Sequence, residues 1–479
     1  GSEAIGGVIQ IFTRKGRQTE QPSVSLDAGA GSFDTFKTAG NVSGKWQNSW
    51  YSLGASHLNS QGIDATSTGF ETDRDGYYNT GLNARIGHRF DNNAEIEAFF
   101  MRAFGKTEFD GYTNKTDFAN QTVGTSAGFD VLSNWRSTLR FGQTLDENDN
   151  FLSTGAFESR FNTTRWNATW LNHISLSEQH QLTLGTDYRV DEVESSTQFG
   201  ETSRYDVGLF GEWHGRLFKQ HFFNASLRWD ENQAFGDYVT GNFGWRFNWD
   251  YGLSAFASFG NAFKAPSFND LYWPYNASSF YGTTYVTEGN PGLKPEESTS
   301  FEAGIAGQHN KVNWQLRAYH TDIKNLIDWA ADYLDPSTYR YQPQNVYQAQ
   351  IDGLELELST ELLGWQHQLN MALLSPKDRQ TNLRLPRRAE ETLSYDISRG
   401  FGAFDVGGHV LAQGNRFDDR ANTNQVDGFV TVDLRTAYHI DKHWTLSAKL
   451  NNLLDKQYQT VDTYNNFGRN FFFTLHYNH

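Results

Sequence analysis

Residues 471–478 read FFFTLHYN, placing Phe471, Phe473, Leu475 and Tyr477 on one side of an extended chain and Phe472, Thr474, His476 and Asn478 on the other. Side chains of a strand alternate between its two faces, so this run is read as a strand. The pattern repeats upstream. Leu446, Ala448 and Leu450 alternate with Thr445, Ser447, Lys449 and Asn451, and Val430, Val432 and Leu434 with Thr431, Asp433 and Arg435. Leu354, Leu356 and Leu358 alternate with Glu355, Glu357 and Ser359. One face is apolar and the other carries full charges. In a soluble sandwich the apolar faces of two sheets pack together. In a large membrane barrel the apolar face meets lipid and the polar face a wet lumen.

Turn spacing favours the barrel. Short polar or Gly-containing turns are expected near Asn48, Asn92, Asn148, Glu178, Lys219, Trp249, His309, Gly364, Gly402 and Lys442. They stand roughly 30–60 residues apart, room for two membrane-crossing strands and a longer opposite loop, and they predict an all-β transmembrane antiparallel barrel of about 22 strands. Closure also removes the open sheet edge that lipid cannot satisfy. Trp46, Trp50 and Tyr51 flank one turn, and Trp245 and Trp249 another, where amphipathic rings suit a membrane–water interface.

Composition agrees. The 479 residues are 37% hydrophobic and 15% aromatic, with 44 Gly and no Cys. Mean hydropathy is −0.65, and no apolar run approaches the length of a membrane helix. The absence of Cys excludes disulfides, thiolate metal sites and a Cys nucleophile. A net charge of −16 argues against nucleic acid as a partner. With 14 Trp, 22 Tyr and 37 Phe the chain is no disordered coil. Catalytic signatures are missing: there is no G-x-S-x-G elbow, zinc helix or Walker loop, and an enzyme is not expected.

The chain begins GSEAIGGVIQIFTRKG (residues 1–16), without the basic start and apolar core of a secretion signal. That stretch resembles the closing strand of the plug domain in TonB-dependent outer-membrane receptors. The resemblance continues through FKAPSFNDLY (263–272), GNPGLKPEES (289–298), YHTDIKNLI (319–327), NVYQAQIDGLELE (345–357), LPRRAEETLSY (385–395), LNNLLDKQY (450–458) and GRNFFFTLHY (468–477). Within the family the sequence is most similar to the vitamin B12 transporters. The resemblance implies residues 1–16 as the plug end and plug–barrel junction and 17–479 as the barrel. It implies a bacterial outer-membrane monomer in contact with lipid, importing a bulky scarce nutrient such as a corrinoid. TonB would be recruited by a plug segment ahead of Gly1, so these residues alone are expected not to transport actively. A ferric-siderophore or haem receptor, or a passive plugless pore, shares the same barrel signals. One departure is His479, standing where the family usually ends in an aromatic residue.

The chief chemical constellation is acidic. Asp64 lies in GID, Asp73 and Asp75 in TDRDG, and Asp110 in FDGY, with Asp117 shortly after. They are expected on two neighbouring loops at one mouth. Clustered carboxylates repel one another without a cation, and calcium takes six to eight oxygen ligands. Calcium-binding loops of the cobalamin receptors match these places, so the resemblance implies Asp64, Asp73, Asp75, Asp110 and Asp117 as calcium ligands. Ligand contacts are expected from Phe109 and Tyr112 beside Asp110, from Tyr272 and Trp273 in FKAPSFNDLYWPY, and from Arg388 in the basic group Arg384, Arg387 and Arg388.

Overall fold

A computed structural model describes every residue except Gly1, Glu3, Ala4, Ile11, Phe12, Arg14, Arg17, Gln18, Thr19, Gly69, Phe70 and Pro336. The expected boundary at residues 16–17 therefore borders residues outside the described set. The first strands are β1 (Ser23–Gly31), β2 (Thr35–Trp46), β3 (Ser49–Ser60), β4 (Tyr77–Arg89), β5 (Glu95–Glu108) and β6 (Thr113–Leu132). Next come β7 (Trp135–Leu152), β8 (Phe157–Ser177), β9 (His180–Ser195), β10 (Ser203–Leu217), β11 (His221–Asn232), β12 (Gly236–Asn248) and β13 (Leu253–Lys264). A one-turn helix α1 (Phe268–Tyr272) and the hairpin β14 (Asn276–Phe280) and β15 (Thr283–Thr287) follow. Then come β16 (Glu296–His309), β17 (Val312–Asp335), β18 (Thr338–Leu362), β19 (Trp365–Asp378), β20 (Glu391–Phe401) and β21 (Phe404–Gln413). The small hairpin β22 (Arg416–Phe417) and β23 (Gln425–Val426) precedes β24 (Phe429–His439), β25 (Trp444–Asn451) and β26 (Asn470–Asn478).

Setting aside the two loop hairpins, 22 strands form a closed antiparallel ring. The ring shuts where β1 pairs with β26, from Ser25 opposite Asn478 to Gly31 opposite Phe472. Alternation sorts the two faces as expected. Leu26, Ile86, Leu209, Leu354, Val430 and Phe473 are exposed on the outer wall, where lipid is their solvent. The opposite face carries paired charges: Arg85 with Glu97 at 2.6 Å, Arg228 with Asp187 at 2.7 Å and Arg435 with Asp396 at 2.5 Å.

Ten short links lie at one end, and nine of the ten expected turns coincide with them. The tenth is a correction. No turn forms near Asn148; the chain reverses at residues 133–134, and Asn148 lies within β7, opposite Phe118 and Phe161. The polar run Asp146–Asn150 imitates a turn because this part of the strand stands clear of the bilayer. Crossing takes about 9–11 residues, whereas β6, β7 and β8 have 20, 18 and 21. Beyond the membrane both faces of a strand are wet, so polar side chains are tolerated on both. At the opposite end several links expected to be long loops are short, their length having gone into strand; β17 and β18 reach 24 and 25 residues.

Candidate functional site at the barrel mouth

The link between β3 and β4 (residues 61–76) turns at Gly62, with φ +65°. It is pinned to the last long link, between β25 and β26: Thr66 bridges to Tyr464, Ser67 N donates to Thr463 O at 2.8 Å, and Asn465 N donates to Ala65 O at 2.9 Å. Within it, Asp64 Oδ1 accepts from Thr66 N at 3.2 Å and Asp75 Oδ2 from Ala65 N at 2.8 Å. Asp110, in the next long-side link, reaches across and accepts from Thr66 Oγ1 at 2.6 Å.

These bonds gather the carboxylates. Asp64, Asp75 and Asp110 each offer an oxygen within 4.8 Å of the others, and so do Glu71, Asp73 and Asp110. Asp110 belongs to both groups, and its second oxygen, Oδ1, is buried with no hydrogen-bond partner. An acceptor left in that state costs about 1–3 kcal/mol unless something satisfies it. The donor set is hard oxygen without His or Cys, the chemistry that suits calcium. Asp64, Glu71, Asp73, Asp75 and Asp110 are the residues that could hold it.

Asp117 stands apart. It is exposed in β6, opposite Lys106 of β5 and Asp149 of β7, and is not among either group of converging carboxylates. Glu71 was missed. Its signal was available, because Glu71, Asp73 and Asp75 recur at every second residue.

Burial pushes the Asp75 carboxyl above its ordinary 3.8, and the charges of Asp110, Asp73 and Asp64 push the same way, against the Ala65 N–H bond. A raised carboxyl stabilises the cation-free loop fully below the ordinary value, and that contribution is lost as pH rises through the raised one. Without calcium, residues 61–76 should therefore become more open to protease as pH rises from about 4 to 7. With calcium the loop should stay protected throughout. Protection that does not change with pH in the chelated protein would refute this.

Gly62 provides a test that removes no ligand. An added Cβ would lie on the Asp75 carbonyl oxygen, and the left-handed conformation is strained for any L side chain. That strain alone costs about 1–2 kcal/mol, so if these carboxylates hold calcium, Gly62→Ala should weaken its binding roughly tenfold while the barrel stays folded. Calorimetric titration of the metal reads the difference.

The aromatic candidates divide. Tyr112 is 76% exposed beside Asp110, while Phe109 N closes the link by donating to Asn114 O at 3.0 Å. Tyr272 and Trp273 instead pack on the cluster of Val193, Phe199 and Phe268, with Trp273 edge-on to Phe199 at 6.0 Å. The basic group is largely neutralised: Arg384 pairs with Glu390 at 2.6 Å and Arg387 with Asp418 at 2.9 Å. Arg388 is exposed, donates to Pro386 O at 2.9 Å, and has no carboxylate partner among the described residues.

A wide, closed, even-stranded barrel with its longer links on one side and carboxylates at that mouth is a large outer-membrane barrel. The chain belongs to the TonB dependent receptor-like β-barrel family, whose model matches residues 19–453. It is 28% identical over 487 residues to a vitamin B12 transporter of Photobacterium profundum, covering 100% of this chain and 77% of that one. A vitamin B12 transporter of Vibrio vulnificus is 29% identical with the same coverage. Among solved structures, a mutant ferric enterobactin receptor of Pseudomonas aeruginosa in complex with enterobactin superposes with a TM-score of 0.87 at 18% identity, covering 100% of this chain and 84% of that one. The copper transporter OprC gives 0.81 at 16% identity, covering 98% and 82%. At such identities the structural likeness is one of fold. Family membership makes the protein a TonB-dependent receptor or transporter of the Gram-negative outer membrane, and not an enzyme.

Proposed function

We propose that this barrel takes up cobalamin or another corrinoid, and that calcium held by Asp64, Glu71, Asp73, Asp75 and Asp110 orders the mouth that receives it. The observation that carries the calcium reading is the meeting of four other carboxylates, in two groups, on Asp110, one of whose oxygens is buried without a donor. The corrinoid reading is supported by whole-chain similarity to vitamin B12 transporters of two genera. Calcium would neutralise the clustered charge and fix residues 61–76 against the link after β5, so less freedom is lost when a ligand docks. Tyr112 and Arg388 are the exposed candidates for ligand contact. Energy for import would come through TonB, as elsewhere in the family.

The test is a titration of the full-length receptor with cyanocobalamin, in calcium and in chelator. Binding that tightens with calcium is expected. Binding unaffected by chelator would remove the metal, and a ferric siderophore bound in place of cyanocobalamin would change the substrate.

A further inference from the structure

Alternation puts Glu357 and Ser359 on the lumen face of β18, because Leu354, Leu356 and Leu358 alternate with them and Leu354 is on the outer wall. Their cross-strand partners share that face. Gln315 and Asn370 flank Glu357, Asn313 and Gln368 flank Ser359, and Gln308 stands opposite Asn313. Five carboxamides therefore form two rows across β16, β17, β18 and β19, close to the short links at residues 310–311 and 363–364. They line a cavity of about 510 Å³. None of the five makes a side-chain hydrogen bond to another described residue. Each thus presents both a donor and an acceptor to the lumen.

The neighbouring wall is ion-paired. At the next lumen-facing position along β17 and β18, Arg317 bonds to Glu355, and beside Gln368 the wall continues into the Asp396–Arg435 pair. The amide cavity itself carries one carboxylate, Glu357, and one guanidinium, Arg246. Arg246 is engaged, donating to Asn248 Oδ1 and Ser254 Oγ at 3.0 Å each. Across the lumen the wall is occupied. β4 lies eleven strand-to-strand steps from β17, halfway round the ring. There Arg85 donates to Thr13 Oγ1 at 2.7 Å, and next to it on β5 the buried Glu97 pairs with Lys15 at 3.3 Å. Thr13 and Lys15 are thus held on β4 and β5, and the amides face them from the other side.

We propose that the two amide rows are a subsite for a neutral, carboxamide-bearing ligand, which touches them as it leaves the lumen on the short-link side. This rests on the reading of the barrel as a corrinoid importer and adds a second place of contact, away from the mouth. Corrinoids carry carboxamide arms around the ring, and amide pairs with amide, donor to acceptor in both directions. Neutral hydrogen bonds are individually weak, so several of them guide a ligand without trapping it, as passage requires. An anionic ligand meets Glu357 instead, with the guanidinium of the cavity already engaged. The site therefore discriminates by charge.

The test compares cyanocobalamin with its monocarboxylic acid, in which one carboxamide arm is hydrolysed, in cells carrying the full-length receptor. Both are supplied at saturating concentration, so affinity at the mouth drops out, and the readout is the ratio of acid to neutral uptake. Glu357→Gln should raise that ratio at least about threefold, and Gln315→Glu should lower it by a similar factor. A wall that only packs against a plug would change both rates together and leave the ratio unmoved, which would overturn the proposal. If Gln315→Glu does not assemble, Glu357→Gln decides alone. A parent receptor that neither binds nor imports cyanocobalamin would remove the corrinoid reading and this subsite with it. Import with an unmoved ratio would remove the subsite only.

Discussion

Asp110→Ala should abolish calcium-dependent ligand binding while the barrel remains folded. Asp110 is the one carboxylate common to both groups, so its loss removes a ligand atom from each and also frees Thr66 Oγ1. Residues 61–76 would then keep their own turns, their contacts at the roots with Phe33 and Glu108, and their bonds to the link between β25 and β26, but lose the tie to Asp110. Ordering a mobile segment on binding costs about 2–5 kcal/mol, so cyanocobalamin affinity should fall by on the order of 100-fold. Asp117→Ala is the control, since Asp117 lies away from the cluster and should change affinity little. Calorimetry on both variants in calcium decides the matter. Equal losses would mean that charge at the mouth, and not a shared site, governs binding.

Arg204→Met should release the α1 end of the link between β13 and β16 (residues 265–295). The side chain serves three partners at once: the Pro266 carbonyl, the Phe268 ring and, at 3.6 Å, Asp191. Arg165 remains on Asp191, with bonds of 2.6 and 3.2 Å, so the acid is not stranded. The Pro266 carbonyl loses its donor, and the charge network loses a buried member. Removing one partner of a buried ionic network costs about 3–5 kcal/mol, more than a loop on an exposed rim can absorb. Limited proteolysis should therefore cut within residues 265–295 in the variant and spare the parent. The 22 strands should survive, because their ladders do not pass through Arg204. A variant as resistant as the parent would show that the Phe268 cluster suffices by itself.

The sequence was most legible where the physics is local. Alternation along Phe471–Tyr477 or Leu354–Leu358 is set by the geometry of one strand, and lipid on one side makes it persist. Nine of ten turns could be read because a reversal needs its own residues, such as Gly364 and Gly402, both with positive φ. The carboxylates near the mouth were visible as types and spacings, and Asp64, Asp73, Asp75 and Asp110 were named from them.

Tertiary structure decided what depends on height above the membrane and on contacts distant in sequence. Asp146–Asn150 is strand and not turn because water lies on both sides there, which composition cannot reveal. Asp110 meets residues 61–76 while Asp117 is carried away, because β6 has begun by Thr113 and fixes Asp117 in its ladder. Thr66 finds Tyr464 because closure brings the start of the ring beside its end. Tyr272 and Trp273 were named as ligand contacts from residue type alone; that they also pack on Val193 and Phe199 is decided only once the link of residues 265–295 reaches β10. Period-two alternation specifies which face a residue occupies. How far neighbouring strands are staggered, and which links then share the mouth, is fixed only when all 22 strands pair into one ring.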